Sequence, residues 1–143
     1  MTENDVRKFL KSHFKATQKI KALELEKIQL RMDAQGGSVS YDGNYPSAKR
    51  NAVESNLIRL GAREQEIDEE IVQLKRKRDR VRETIDQLCD DDLEAVLINR
   101  YITYHTVEET AEIMNYAPRT VRKKQKQAFE KLCLLVPCFA QST

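Results

Sequence analysis

A heptad repeat between residues 47 and 88 constrains this chain more than any other feature of its sequence. One position of the repeat is apolar throughout, at Val53, Leu60, Ile67, Leu74, Val81 and Leu88. A second position of the repeat is occupied by Leu57, Glu64, Ile71, Arg78 and Ile85. Side chains with this spacing form a seam along one side of a helix, and here the flanking residues are densely charged. The pattern predicts one long coiled-coil helix, which at about 1.5 Å per residue would span roughly 60 Å.

Glu64 and Arg78 interrupt the seam with opposite charges, seven residues before and after Ile71. Burying an unpaired charge is costly, so each is expected to have a partner or to extend its charged end to the rim. Parallel pairing in register would bring like charges together. Antiparallel pairing centred near Ile71 would instead bring opposite charges near each other, so we expect the antiparallel arrangement.

An earlier segment, from about Glu3 to Met32, has a similar seam with two polar interruptions. Its members are Val6, Phe9, His13, Ala16, Ile20, Leu23, Lys27 and Leu30. The intervening residues 33–46 contain three of the four glycines, which predicts a turn-rich loop. The first helix can fold back on the second as a hairpin, the second helix can pair with another copy of the chain, or both can occur together. We favour a homodimer through residues 47–88, because so long a helix has little other core to stabilise it.

The charges of the C-terminal part are segregated along the chain. Residues 86–112 contain eight acids and one base, whereas residues 119–131 contain six bases and one acid. The net charge of the whole chain is only +2, so the basic segment is a local feature. Such a segment is either a solvated helix face or a surface for a polyanion, and its confinement to one helix favours the polyanion.

Residues 90–135 predict three shorter helices. The acidic cluster Asp90-Asp91-Asp92 is favourable at a helix start, and the helix that follows continues to about Tyr101. Thr106 and Glu109 have the spacing of a capping box, which opens a second helix ending at Met114.

The third helix follows a short turn. Asn115 can take the left-handed conformation at the end of the second helix, and Pro118 suits the first position of the next one. That last helix extends to about Leu135, and we expect residues 136–143 to form a flexible tail.

Two short helices, a tight turn and a basic final helix predict a helix-turn-helix. Ala111 is small enough for the crossing of the two helices, Val121 points inward, and Met114 and Tyr116 face the core. The recognition helix, at about 118–132, would enter the major groove, where Arg and Lys reach guanine or phosphates. The residues predicted to contact DNA are Arg119, Thr120, Arg122, Lys123, Lys126, Thr106 and Tyr116.

A resemblance to region four of bacterial sigma factors, which reads the promoter −35 element, is carried by residues 93–132. They read LEAVLINRYITYHTVEETAEIMNYAPRTVRKKQKQAFEKL. The wider layout looks like the phage late-transcription regulators of the ArpU/RinA type. Its matching segments are Ser40-Tyr41-Asp42-Gly43, Arg100-Tyr101-Ile102 and Arg119-Thr120-Val121. The resemblance covers about residues 40–135 and implies a regulator of phage or prophage genes that binds double-stranded DNA and contacts RNA polymerase.

Lys124 departs from the pattern of such modules, which usually have a second apolar residue three places after the inward valine. Either the helix is rotated, or its core is made by Ala128, Phe129 and Leu132.

Several other classes of protein find no support in the sequence. The three cysteines form no CxxC pair, so we expect no metal site, and Cys89 and Cys133 are predicted to be small core residues. No glycine-rich phosphate loop is present, and we predict neither an enzyme nor a cofactor. The N-terminus has no apolar signal segment, and no apolar run approaches a membrane span, so we expect a soluble, cytoplasmic protein without membrane contact.

The sequence therefore predicts an all-α chain in three parts. Residues 1–89 form a long helical hairpin or coiled-coil arm with its loop at 33–46, residues 90–135 form the C-terminal helix-turn-helix, and 136–143 are the tail. The predicted function is sequence-specific DNA binding in transcriptional regulation. Two alternatives remain: a sigma-like adaptor that binds RNA polymerase with little DNA specificity of its own, and a phage packaging subunit resembling a small terminase.

Overall fold

The computed structural model describes residues 2–36 and 47–135, and every regular element in these ranges is helical. The elements are α1 (Glu3–Gly36), α2 (Ser47–Asp86), α3 (Asp91–Leu97), a π-helical turn (Ile98–Ile102), α4 (Val107–Met114) and α5 (Pro118–Leu135). The all-α class is thus confirmed. Most of the predicted loop at 33–46, with its Ser40–Gly43 segment, and the predicted tail at 136–143 lie outside the described residues.

The end of α2 differs from the prediction. The helix ends at Asp86, and Cys89 takes a positive φ of 53°, which turns the chain before Asp90 caps α3. A residue in this conformation no longer follows the helical pattern, so the predicted burial of Cys89 is wrong and its side chain is exposed. Cys133, by contrast, packs partly buried against the core.

The chain divides into two compact units, and the division does not fall at the boundary predicted between residues 89 and 90. The described part of the first unit comprises residues 2–17 and 76–135. Its core joins side chains from both ends of the sequence: Val6, Leu10, Val81, Ile85, Leu88, Leu93, Leu97, Tyr101, Ala128, Phe129 and Leu132. In this unit, α3 and α5 cover the apolar seams at the start of α1 and the end of α2. These two segments therefore belong to the same unit as the C-terminal helices.

The second unit, described for residues 18–36 and 47–75, pairs α1 with α2 inside the chain. Ion pairs join Lys19 to Glu70 at 2.8 Å and Arg31 to Glu64 at 2.6 Å, so the two helices are antiparallel. The seam positions Ile67, Ile71 and Leu74 are buried. Glu64 has the cationic partner expected of it, and the intrachain hairpin is the pairing present in this unit. The homodimer stays a prediction.

The turn from Ile98 to Ile102 is wider than an α-helical turn. The N–H of Thr103 donates to the carbonyl of Ile98 at 3.0 Å, five residues back, which is the π-helical bond. Tyr101 lies within this turn and is buried in the same core as Leu93 and Leu97.

Tyr104 connects the loop before α4 to the first unit's part of α1. Its hydroxyl lies 2.6 Å from Nδ1 of His13 and donates to Oγ1 of Thr17 at 2.7 Å. Its φ of 62° is left-handed, an uncommon conformation for a bulky residue. Tyr104, His13 and Thr17 together hold the loop that precedes α4 against α1.

Across the described ranges, none of the helices carries an apolar stretch of the length that crossing a bilayer demands.

Candidate nucleic-acid interface

The ends of α4 are fixed by the local chemistry that the sequence predicts. Oγ1 of Thr106, which precedes the helix, accepts a hydrogen bond from the N–H of Glu109 at 3.1 Å. Asn115 takes the left-handed conformation, with φ 57° and ψ 41°, and the N–H of Tyr116 donates to the carbonyl of Ala111 at 2.9 Å. Pro118 then begins α5, so the turn between the helices contains only residues 115–117.

A small apolar cluster holds α4 against α5. Ala111 is 3% exposed, and Val121 and Val96 are fully buried beside it. Met114 and Tyr116 are partly buried against the same cluster. Ala111 and Val121 therefore occupy the inward positions predicted for them. A longer side chain at residue 111 would press the two helices apart.

The predicted DNA-contact residues of α5 share one side of its N-terminal half. Arg119, Arg122, Lys123 and Lys126 are exposed, and Thr120 is half-buried. Residues three or four apart lie next to each other on a helix, so the four bases form one surface, which we call the α5 basic face. Of the two remaining predicted contacts, Thr106 is exposed at the start of α4, while Tyr116 is half-buried in the turn.

The other bases of α5 are directed towards the acidic start of α3. Nζ of Lys124 lies 3.3 Å from Oδ2 of Asp92, and Nζ of Lys131 lies 3.9 Å from Oδ2 of Asp90. Asp90 also caps α3, because its Oδ1 accepts from the N–H groups of Asp92 and Leu93. The bases of α5 thus lie on two sides of the helix. Those facing α3, Lys124 and Lys131, form ion pairs within the chain.

Lys124 stands where an apolar residue is usual, and the structure accounts for the difference. Its side chain is only 23% exposed, and its Nζ lies 5.4 Å from the centroid of the Tyr116 ring. Ala128, Phe129 and Leu132 are buried, so they form the core of α5. Of the two alternatives for this helix, the core made by these three residues is the one observed.

Arg122, at the edge of the α5 basic face, has an acidic neighbour. Its Nη2 lies 3.4 Å from Oε1 of Glu108, and both side chains are largely exposed. Such an ion pair is weak in water, so another anion can readily displace the Glu108 carboxylate from Arg122.

Arg100 joins the π-helical turn, the loop before α4 and α5. Its Nε donates to Oε1 of Gln125 at 3.0 Å, and its Nη1 donates to the carbonyl of His105 at 2.8 Å. The guanidinium thereby fixes the position of Thr106 relative to α5. The sequence alone does not reveal this bridging role of Arg100.

Arg7 is a candidate interface residue that sequence reasoning missed. It lines an open groove of about 430 Å³ together with Arg122, Gln125 and Lys126 of α5. The seam of α1 predicts pairing with α2 alone, so nothing in the local sequence directs attention to Arg7.

Among the described residues, no group of three or more His, Cys, Asp or Glu side chains is arranged to hold a metal ion. No protein-family model, curated protein or solved structure matches this chain.

Proposed function

We propose that this protein is a sequence-specific DNA-binding regulator of transcription, with the N-terminal half of α5 in the major groove. The observation that carries the proposal is the division of α5 into two sides. One side packs on α4 through Val121 and Ala111. The opposite side presents four exposed bases on two successive turns, which is the placement that a recognition helix requires.

The chemistry of the α5 basic face suits duplex DNA. Arg and Lys reach the O6 and N7 atoms of guanine from the major groove, and they also neutralise phosphates. Arg119, Arg122 and Lys123 lie nearest the N-terminus of α5, the end that meets base edges in helix-turn-helix complexes. Thr106 and Tyr116 flank this surface from α4 and the turn, where they serve as contacts to the backbone.

The resemblance to the ArpU/RinA-type regulators supports phage or prophage genes as the targets. A regulator of this kind acts in the cytoplasm, where the DNA is. Dimerisation belongs to the same proposal, because paired heads would read two half-sites.

The decisive experiment is the selection of bound sites from a random duplex DNA library at about physiological salt, where non-specific phosphate binding fades. We expect enrichment of a defined motif, and a two-fold repeat within it would indicate a dimer. A folded protein that enriches no motif would contradict sequence-specific binding. It would favour instead the adaptor that binds RNA polymerase.

A pair of variants tests the face of α5 that is used. Arg122→Ala combined with Lys123→Ala should weaken binding to the selected site, by about 1–3 kcal/mol for each side chain that reads a base. Lys131→Ala is the control, since it removes one positive charge from the side of α5 that faces Asp90. Unchanged affinity in the double variant would show that another surface binds the DNA.

A further inference from the structure

Arg7 belongs to α1, yet it lies beside the α5 basic face. Its Cζ is 5.6 Å from the centroid of the Phe129 ring, and Phe129 is 2% exposed in the core. This cation–π contact holds the guanidinium at one edge of α5. The groove at that edge is shared with Arg122 and Lys126, both of which are predicted to contact DNA.

The contents of the groove favour an anion. Three cations from two helices, Arg7, Arg122 and Lys126, line it, and Gln125 adds an amide. Glu3 is the acid among the lining residues. The positive charges therefore exceed the negative ones, although Glu108 lies 3.4 Å from Arg122.

The contact with Phe129 leaves the donors of Arg7 available. A cation–π contact engages the charge of the guanidinium and uses none of its five N–H donors. These donors form a fork that matches two oxygens of one phosphate. The contact with Phe129 thus places Arg7 beside the groove with its donors still able to bind an oxyanion.

We propose that this groove binds a backbone phosphate of the DNA that α5 reads, with Arg7 as a ligand from outside the helix-turn-helix. The inference rests on the proposed function. A phosphate is the appropriate partner because the groove lies at the edge of the α5 basic face, and duplex backbones flank the groove that a recognition helix enters. Arg7 then strengthens binding to every sequence equally and carries no base specificity.

Salt dependence measures this contact directly. Each phosphate neutralised contributes about 0.9 to the slope of log affinity against log salt. Between about 50 and 200 mM salt, a fourfold increase, the wild-type affinity should therefore fall about 3.5-fold further than that of a variant lacking the Arg7 contact.

The experiment compares the wild-type chain with Arg7→Ala, Arg122→Ala and Lys8→Ala, using a short labelled duplex of random sequence over that salt range. Lys8 is the matched control, because it is an exposed cation on the same turn of α1 and does not line the groove. Arg7→Gln is measured as well, since it keeps most of the stem over Phe129 and decides the question should Arg7→Ala fail to fold. Arg7→Ala or Arg7→Gln should lower the slope by about 0.9, and Lys8→Ala should leave it unchanged.

Two results would overturn the inference, and they can be told apart. If Arg122→Ala lowers the slope while both Arg7 variants and Lys8→Ala retain the wild-type slope, Arg7 is not a phosphate ligand but α5 still binds DNA. If the folded wild-type chain binds no duplex in the lower part of the salt range, the proposed function fails together with the inference.

Discussion

Replacing Lys124 with alanine should weaken the fold and leave DNA binding intact, although Lys124 lies in the middle of the basic helix. Its ammonium group lies 3.3 Å from Asp92 and 5.4 Å from the ring of Tyr116. A partly exposed ion pair contributes about 0–1 kcal/mol. A cation over an aromatic ring adds about 0.5–1 kcal/mol. The expected loss is therefore about 0.5–2 kcal/mol in the free energy of unfolding.

Urea unfolding followed by circular dichroism measures this loss, and the thermal midpoint should fall by about 1–8 °C. Lys123→Ala is the control. The side chain of Lys123 is exposed, so removing it should change stability by less than about 0.5 kcal/mol. A double-mutant cycle with Asp92→Asn isolates the ion pair from the ring contact.

DNA-binding measurements on Lys124→Ala and Lys126→Ala decide the orientation of α5. Lys124→Ala should retain the wild-type salt dependence of DNA binding, whereas Lys126→Ala should lower its slope by about 0.9. A lower slope for Lys124→Ala, with stability unchanged, would refute the reasoning, because Lys124 would then face the DNA and the helix would be rotated.

Three further predictions concern single side chains. Glu108→Gln should raise affinity for duplex DNA in binding titrations, since it removes a carboxylate 3.4 Å from Arg122; equal or weaker binding would contradict this. Burial, followed by the charge of Arg78, lowers the pKa of His13. The unfolded chain therefore binds the proton more readily, so the thermal midpoint should fall as the pH drops below about 6.5, and His13→Gln should show a shallower fall. Thr110→Val should stabilise the fold by about 1 kcal/mol in urea unfolding. The reason is that Oγ1 of Thr110 is buried and makes no hydrogen bond within the described residues. A destabilised variant would indicate that this hydroxyl has a partner.

The parts of the structure that depend on local chemistry could be predicted from the sequence. Thr106, Asn115 and Pro118 each have a conformational preference that acts over a few residues, and each takes its expected place at an end of α4 or α5. Ala111 and Val121 take the inward positions that the helix-turn-helix pattern predicts for them.

The parts that depend on distant contacts could not be predicted in this way. Cys89 continues the apolar pattern of α2, but the chain turns there to bring α3 onto the core, so the residue is exposed. The π-helical turn at Ile98–Ile102 interrupts a stretch whose spacing predicts a plain α-helix, and no local residue preference marks it. Arg7 meets α5 across the whole length of the sequence, and periodicity within α1 carries no information about that meeting.

The core that unites Val6 and Leu10 with Phe129 and Leu132 also determines when the chain can finish folding. A ribosome adds about 5–20 residues per second, so the interval between Val6 and Phe129 takes roughly 6–25 s. During that interval the apolar start of α1 is synthesised but lacks Phe129 and Leu132, which complete its core. Contacts between such distant residues also slow folding, because a long loop must close before they form. The basic helix is thus the last part of this core to be made and completes the core on which its own orientation depends, so a nascent chain that stops before Leu132 has no finished surface to present to DNA.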